Sequence, residues 1–206
     1  MIDMFNCADY DGDFRLLIDL QVICYTGLHK YLAFGVALPC LIVWGIGIPI
    51  TVFFLMRKES DRLETNAVKQ RFGFLYNGYK RQNYYWEIII MYRKIFCIFI
   101  AVFLRRIGII VQALVLLIVL MMFMQANSSR RPFAARALND IESFSLITQI
   151  VTIYCGLFFV SSKDKKSESF NVNTDFYLDE TGKFAFFIVI AVCNVGFVVL
   201  WLTKYI

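Results

Sequence analysis

Apolar residues in this chain gather into blocks of about 18 to 25, the length a helix needs to cross a hydrocarbon core of roughly 30 Å, with polar stretches between them. The pattern predicts membrane spans over residues 31–56, 84–104, 107–124, 141–160 and 184–202. The first block contains Pro39 and then WGIGIP, with Gly45, Gly47 and Pro49. A helix there is expected to kink at Pro39 and Pro49, because each proline removes a backbone hydrogen bond. The polar stretch Arg57–Asn83 opens with KESDRLETNAVKQ, good helix formers with Lys58 and Asp61 at a pairing distance along a helix. It continues into RFGFLYNGYK, where Gly73 and Gly78 predict turns. Only Arg105 and Arg106 separate the second span from the third. Gln125–Asp140, containing RRPF, reads as a polar connection, and Ser161–Lys183 as a long polar loop with five acidic residues. No internal repeat is visible, which removes the usual sequence support for an inverted-repeat transporter. The fold class is therefore all-α: a polytopic membrane protein with about five transmembrane helices, in which an acidic segment 1–30 precedes a helical module 31–206.

Composition agrees with that pattern. The 206 residues are 59% hydrophobic and only 18% charged, less charge than a soluble domain usually carries. A net charge of +5 bears on membrane orientation, since no basic module has the spacing of a nucleic-acid reader. The expected partners are the lipid bilayer and other membrane chains or a larger parent polypeptide, with no nucleic acid. Asp3, Asp9, Asp11 and Asp13 make the first twenty residues unlike a cleavable signal peptide. With five spans, the side holding Arg57–Asn83 has eleven Lys and Arg against eight on the other. The positive-inside rule then puts that loop in the cytoplasm and the N-terminus outside. Cys7 and Cys24 would face an oxidising compartment and are candidates for a disulfide. Cys40, Cys97, Cys155 and Cys193 fall inside spans and read as small apolar fillers.

Charge inside the second span is the main chemical anomaly. Lys94 lies ten residues beyond Tyr84, roughly 15 Å along a helix and about halfway across a bilayer. Only ten apolar residues separate Lys94 from Arg105, too few to span. Either Arg93 and Lys94 lie within the bilayer, or Tyr84–Tyr92 runs along its surface and the rest forms a shallow hairpin. An ionised group at mid-depth needs a partner or water. Glu142, about one turn inside the fourth span, is the candidate partner for Arg93 or Lys94, with Glu87 nearer the interface. The alternative is that these charges only lock helix packing and orientation.

The aromatics Phe72, Phe74, Tyr76, Tyr79, Tyr84, Tyr85 and Trp86 read as an interfacial belt, and with Lys80 and Arg81 they are candidates for lipid-headgroup contact. His29 is the only histidine, and Asp9, Asp11 and Asp13 lack the remaining ligands of a calcium loop, so no metal is expected. Nucleotide fingerprints, zinc spacings and a nucleophile with its base are all missing, so neither an enzyme nor a cofactor is expected.

The string FGFLYNGYK…YYWE…YRK resembles the multi-span C-terminal region of large protist surface proteins, known from ciliates and other single-celled eukaryotes. Those proteins often carry cysteine-rich ectodomains ahead of a TRP-channel-like region. The run Cys24…Pro39…GIGIP, the RRPF connection and LNDIESFSLITQIVTIYCGLFF are similar as well, so the likeness covers most of residues 7–160 and weakens after Ser161. Two departures stand out: these residues hold no large ectodomain, and no apolar re-entrant segment leads into a filter-like run. The resemblance implies a membrane module of channel type that assembles or anchors a larger complex and contributes to an ion path. It implies a plasma or ciliary membrane. The alternatives are an accessory subunit of an energy-transducing complex in the mitochondrial inner membrane, and a small-solute transporter.

Overall fold

A computed structural model of the chain describes residues 2–10, 12–60, 63, 65–104, 107–164 and 180–205. Asp61 of the expected Lys58 pair, the Arg105–Arg106 turn, and residues 165–179 of the expected acidic loop lie outside the described residues. The chain divides into two compact units, Met1–Ile107 and Gly108–Ile206, so the acidic segment belongs to the first unit.

The first unit opens with a short 3-10 turn, Ile2–Phe5, and an antiparallel hairpin of β1 (Cys7–Tyr10) and β2 (Asp13–Leu16). Asp9 and Asp13 of DYDGD thus belong to a hairpin. Gly12 takes φ +89°, which glycine tolerates, and its N–H donates to Asp9 Oδ1 at 3.2 Å. Cys7 and Cys24 are joined by a disulfide, and both residues are buried.

Helix α1 (Gly27–Lys58) follows at once. It is one continuous helix with two π-helical stretches, Ala33–Ala37 and Val43–Gly47. Their wide turns come two residues before Pro39 and Pro49. Leu38 N–H donates to Ala33 O and Ile48 N–H to Val43 O. The widened turn takes up the place where the proline supplies no N–H and its ring would crowd the preceding carbonyl. The prolines therefore loosen α1 locally without ending it.

Helix α2 (Asn66–Tyr76) corrects one expectation: Gly73 lies inside it and makes no turn. A helical glycine costs about 1 kcal/mol relative to alanine. Burial of neighbouring Leu75 in a cluster with Met56 of α1 and Ile88 offsets that cost. Gly78 does make a turn, at φ +106°. Within KESDRLETNAVKQ this helix begins after Thr65. Helix α3 (Trp86–Phe103) completes the unit.

The second unit stacks α4 (Ile109–Arg130), α5 (Arg136–Asp164) and α6 (Glu180–Tyr205), with α5 touching both neighbours. The helices overrun their apolar blocks. The expected connection Gln125–Asp140 shrinks to residues 131–135, because Gln125, Ser128, Ser129 and Arg130 stay solvated at the helix end and Asn127 is hydrogen-bonded to Ser143. Among the described residues, four helical stretches are long and apolar enough to cross a membrane: Gly27–Lys58, Ile109–Arg130, Arg136–Val160 and Thr181–Lys204. The chain is thus an all-α, polytopic, integral membrane protein with a small hairpin at its N-terminal end. The remaining expected span is α3, roughly 27 Å long over its 18 residues, with three charges in its sequence.

Candidate functional site

In the first unit the turn at Gly78 carries Tyr79 back over the start of α3, and Tyr79 Oη donates to Glu87 Oε2 at 2.6 Å. A charge-assisted bond of this length holds the carboxylate firmly. Glu87 also lies in the first turn of α3, where free backbone N–H groups favour negative charge. It is therefore anchored at the entrance of α3. Lys94, seven residues further on, is roughly 10 Å along the axis. Arg93 is half-buried and Lys94 is exposed. Glu142, half-buried near the start of α5, belongs to the other unit.

The aromatic residues expected as a belt divide into two groups. Tyr76, Tyr84 and Tyr85 pack with Phe72 around Met56, Leu75 and Ile88. Trp86 is 4% exposed, whereas Phe74 is 81% exposed. Tyr76 Oη donates to Leu63 O at 2.7 Å, and burial pushes the Tyr76 phenol pKa up. Tyr84 and Tyr85 meet edge to face at 5.5 Å. Lys80 and Arg81 are exposed beside this cluster. A cavity of ≈ 420 Å³ opens at the other end of α2, lined by Glu59, Thr65, Val68, Arg71 and Phe72 among others, so Phe72 is the one aromatic residue it shares with the expected belt.

The second unit contains polar residues that the sequence reading passed over. The RRPF turn closes on Asn139, which is buried. Phe133 N–H donates to Asn139 Oδ1 at 3.1 Å, and Asn139 Nδ2 donates to Phe133 O at 2.9 Å and Ala135 O at 3.1 Å. One amide thus substitutes for a missing backbone ladder across the turn. One turn on, Asn127 Nδ2 donates to Ser143 Oγ at 3.1 Å and ties α4 to α5, while Asn127 Oδ1 is buried without a partner among the described residues.

A polar seam then follows α5 to mid-depth. Gln149 Nε2 donates to Ser145 Oγ at 3.2 Å, and Thr152 Oγ1 donates to Thr148 O at 2.7 Å. Asn194, near the centre of α6, donates both amide hydrogens, to Thr152 Oγ1 at 3.1 Å and Ile190 O at 2.8 Å. Ser145, Gln149 and Thr152 repeat every three to four residues and so share one face of α5. Gln149 and Asn194 are exposed. Phe158 stacks on Phe186 with ring centres 4.6 Å apart, closing the α5–α6 pair beyond the seam. The available signal was a set of amides and hydroxyls spaced three or four residues apart within apolar blocks.

The family model of the transient receptor potential (TRP) ion channel matches residues 33–173. Cysteine repeat modular protein A of Toxoplasma gondii is 32% identical over 68 residues, 33% of this chain and 2% of that protein. The substrate-adhesion molecule of Dictyostelium discoideum is 33% identical over 85 residues, 41% of this chain and 9% of that protein. Matching regions therefore make up only a small part of these curated relatives. No solved structure matches. Both relatives come from single-celled eukaryotes, in keeping with the likeness carried by the aromatic–glycine string. The family match runs from within α1 through α5, well over half of the sequence, and the chain belongs to the TRP ion channel family.

Proposed function

We propose that this chain is the membrane-embedded part of a larger surface assembly and that its second unit contributes one wall of an ion path. The observation that carries this reading is the seam on α5 and α6. Exposed amides at mid-depth are costly against lipid tails, so such groups normally face protein or water. A row of Ser145, Gln149, Thr152 and Asn194 offers hydroxyl and carbonyl oxygens suited to replacing part of a cation's hydration shell. Neighbouring chains would complete the wall. Membership of an ion channel family favours this over an accessory subunit of an energy-transducing complex or a solute transporter, and argues against an enzyme. The disulfide fits a membrane of the secretory route, with the plasma or ciliary membrane as the expected site.

The charges of α3 have a subsidiary role in this reading. Glu87 and Tyr79 hold the entrance of α3, and the aromatic cluster seats it at the interface.

The test is monovalent cation flux into proteoliposomes containing the purified chain. Flux is expected for the natural sequence and a loss of at least tenfold for Asn194→Leu, with Val198→Leu unchanged. If the natural chain gives no flux, or if Asn194→Leu leaves it unaltered, the seam is not the path.

A further inference from the structure

The collar formed by the hairpin and its disulfide is fixed beside the top of α1 at a definable depth. Phe5 meets Phe34 of α1, ring centres 6.5 Å apart, and Phe103, the last residue of α3, at 6.2 Å. Tyr25, in the left-handed conformation at φ 62°, folds back to within 6.0 Å of Phe34. Its N–H donates to His29 Nδ1 at 3.1 Å. Phe34 lies seven residues into α1, roughly 10 Å down its axis. The whole 32-residue helix measures roughly 48 Å, against a hydrocarbon core of about 30 Å and about 40–45 Å with headgroups. The stretch from Phe34 to Lys58 is still roughly 36 Å, enough to cross the core alone. Phe5 therefore stands close to the hydrocarbon boundary, and the turns of α1 above it stand at headgroup level.

The collar transfers this depth to its loop. Leu17 N–H donates to Asn6 O at 3.0 Å, which puts Ile18 level with Phe5. Ile18 is 70% exposed and Leu20 is 48% exposed. Leu28 and Tyr31, on the first turns of α1, continue the same apolar exposure. Arg15 Nη1 holds Leu20 O at 3.0 Å, and the Cys7–Cys24 bond closes the base of the loop. These links leave the loop little freedom to lift away.

We propose that residues 16–25 form an interfacial wedge, with Ile18 and Leu20 seated at the headgroup–acyl boundary of the leaflet on the N-terminal side. This extends the lipid-facing surface of α1 sideways onto the collar. Five aspartates against Arg15 in residues 1–25 make this segment acidic; Arg15 pairs with Asp13 at 3.4 Å, while the carboxylates of Asp9 and Asp19 are exposed and would be repelled by an anionic surface. The fitting lipid is therefore zwitterionic, of the phosphatidylcholine type. The wedge stands whether or not the second unit conducts.

A spin label at Ile18→Cys tests it, in a chain whose Cys40, Cys97, Cys155 and Cys193 are replaced by alanine, reconstituted in phosphatidylcholine vesicles. Dissolved oxygen is expected to relax that label more than a water-soluble nickel chelate does, with the opposite order at Asp13→Cys. Chelate dominance at position 18, or low access for both reagents because protein covers the loop, overturns the proposal. A second measurement uses the natural chain and a phosphatidylcholine carrying a diazirine near its glycerol. Photo-adducts are expected on the peptide containing Ile18, and adducts confined to the spans would overturn the proposal.

Discussion

Replacing Asn139 by alanine removes three hydrogen bonds from the turn between α4 and α5. The bared groups differ in what happens to them. Ala135 is exposed, so its carbonyl finds water, whereas the N–H and C=O of half-buried Phe133 are only partly rehydrated. An unsatisfied buried group costs about 1–3 kcal/mol, so the local loss should be about 2–3 kcal/mol. That raises the open population of the turn about 30- to 150-fold. Limited trypsinolysis in mild detergent reads it directly, since Arg130 and Arg136 flank the turn while the Arg131–Pro132 bond resists the enzyme. When opening is fast relative to cleavage, the rate follows the open population. Asn139→Asp keeps the acceptor for Phe133 N–H and loses both donations, so it should fall between. If Asn139→Ala is cut within threefold of the natural rate, these bonds do not hold the turn.

Two further outcomes are expected. Cys24→Ser opens a loop with a sequence separation of 17 and should cost the collar about 3 kcal/mol by loop-closure entropy, seen as faster proteolysis of residues 7–24 with the spans still protected. Tyr79→Phe should cost about 1.5–3 kcal/mol at the entrance of α3, and a double-mutant cycle with Glu87→Gln should return most of that as coupling energy in a detergent unfolding titration.

What could be read in advance follows from how each signal is encoded. A membrane helix is written as a run of apolar residues, so α1, α4, α5 and α6 were visible from composition alone, while their ends were not. Gln125–Arg130 is polar yet helical because a helix terminus projecting past lipid needs no apolar face. Gly73 misled for a related reason: its turn tendency is local, and the burial of Leu75 against Met56 and Ile88 is tertiary. The hairpin carried a legible signal in Asp11–Gly12, a turn dipeptide between two short alternating runs. The Asn139 clamp and the seam were the least legible parts. Asn127, Asn139, Gln149 and Asn194 look like isolated polar residues in sequence, and only packing within the second unit shows that they work in pairs.

Water access to the seam tests the central claim most directly. Cysteines placed singly at Gln149 and Asn194, and at lipid-facing Ile147 and Val195 for comparison, would be treated in vesicles with a charged, membrane-impermeant thiol reagent after the native free cysteines are replaced. A water-lined path predicts that Gln149→Cys and Asn194→Cys react while Ile147→Cys and Val195→Cys do not. Equal silence at all four positions would mean that protein or lipid covers the seam, and that the second unit supplies no wall of an ion path.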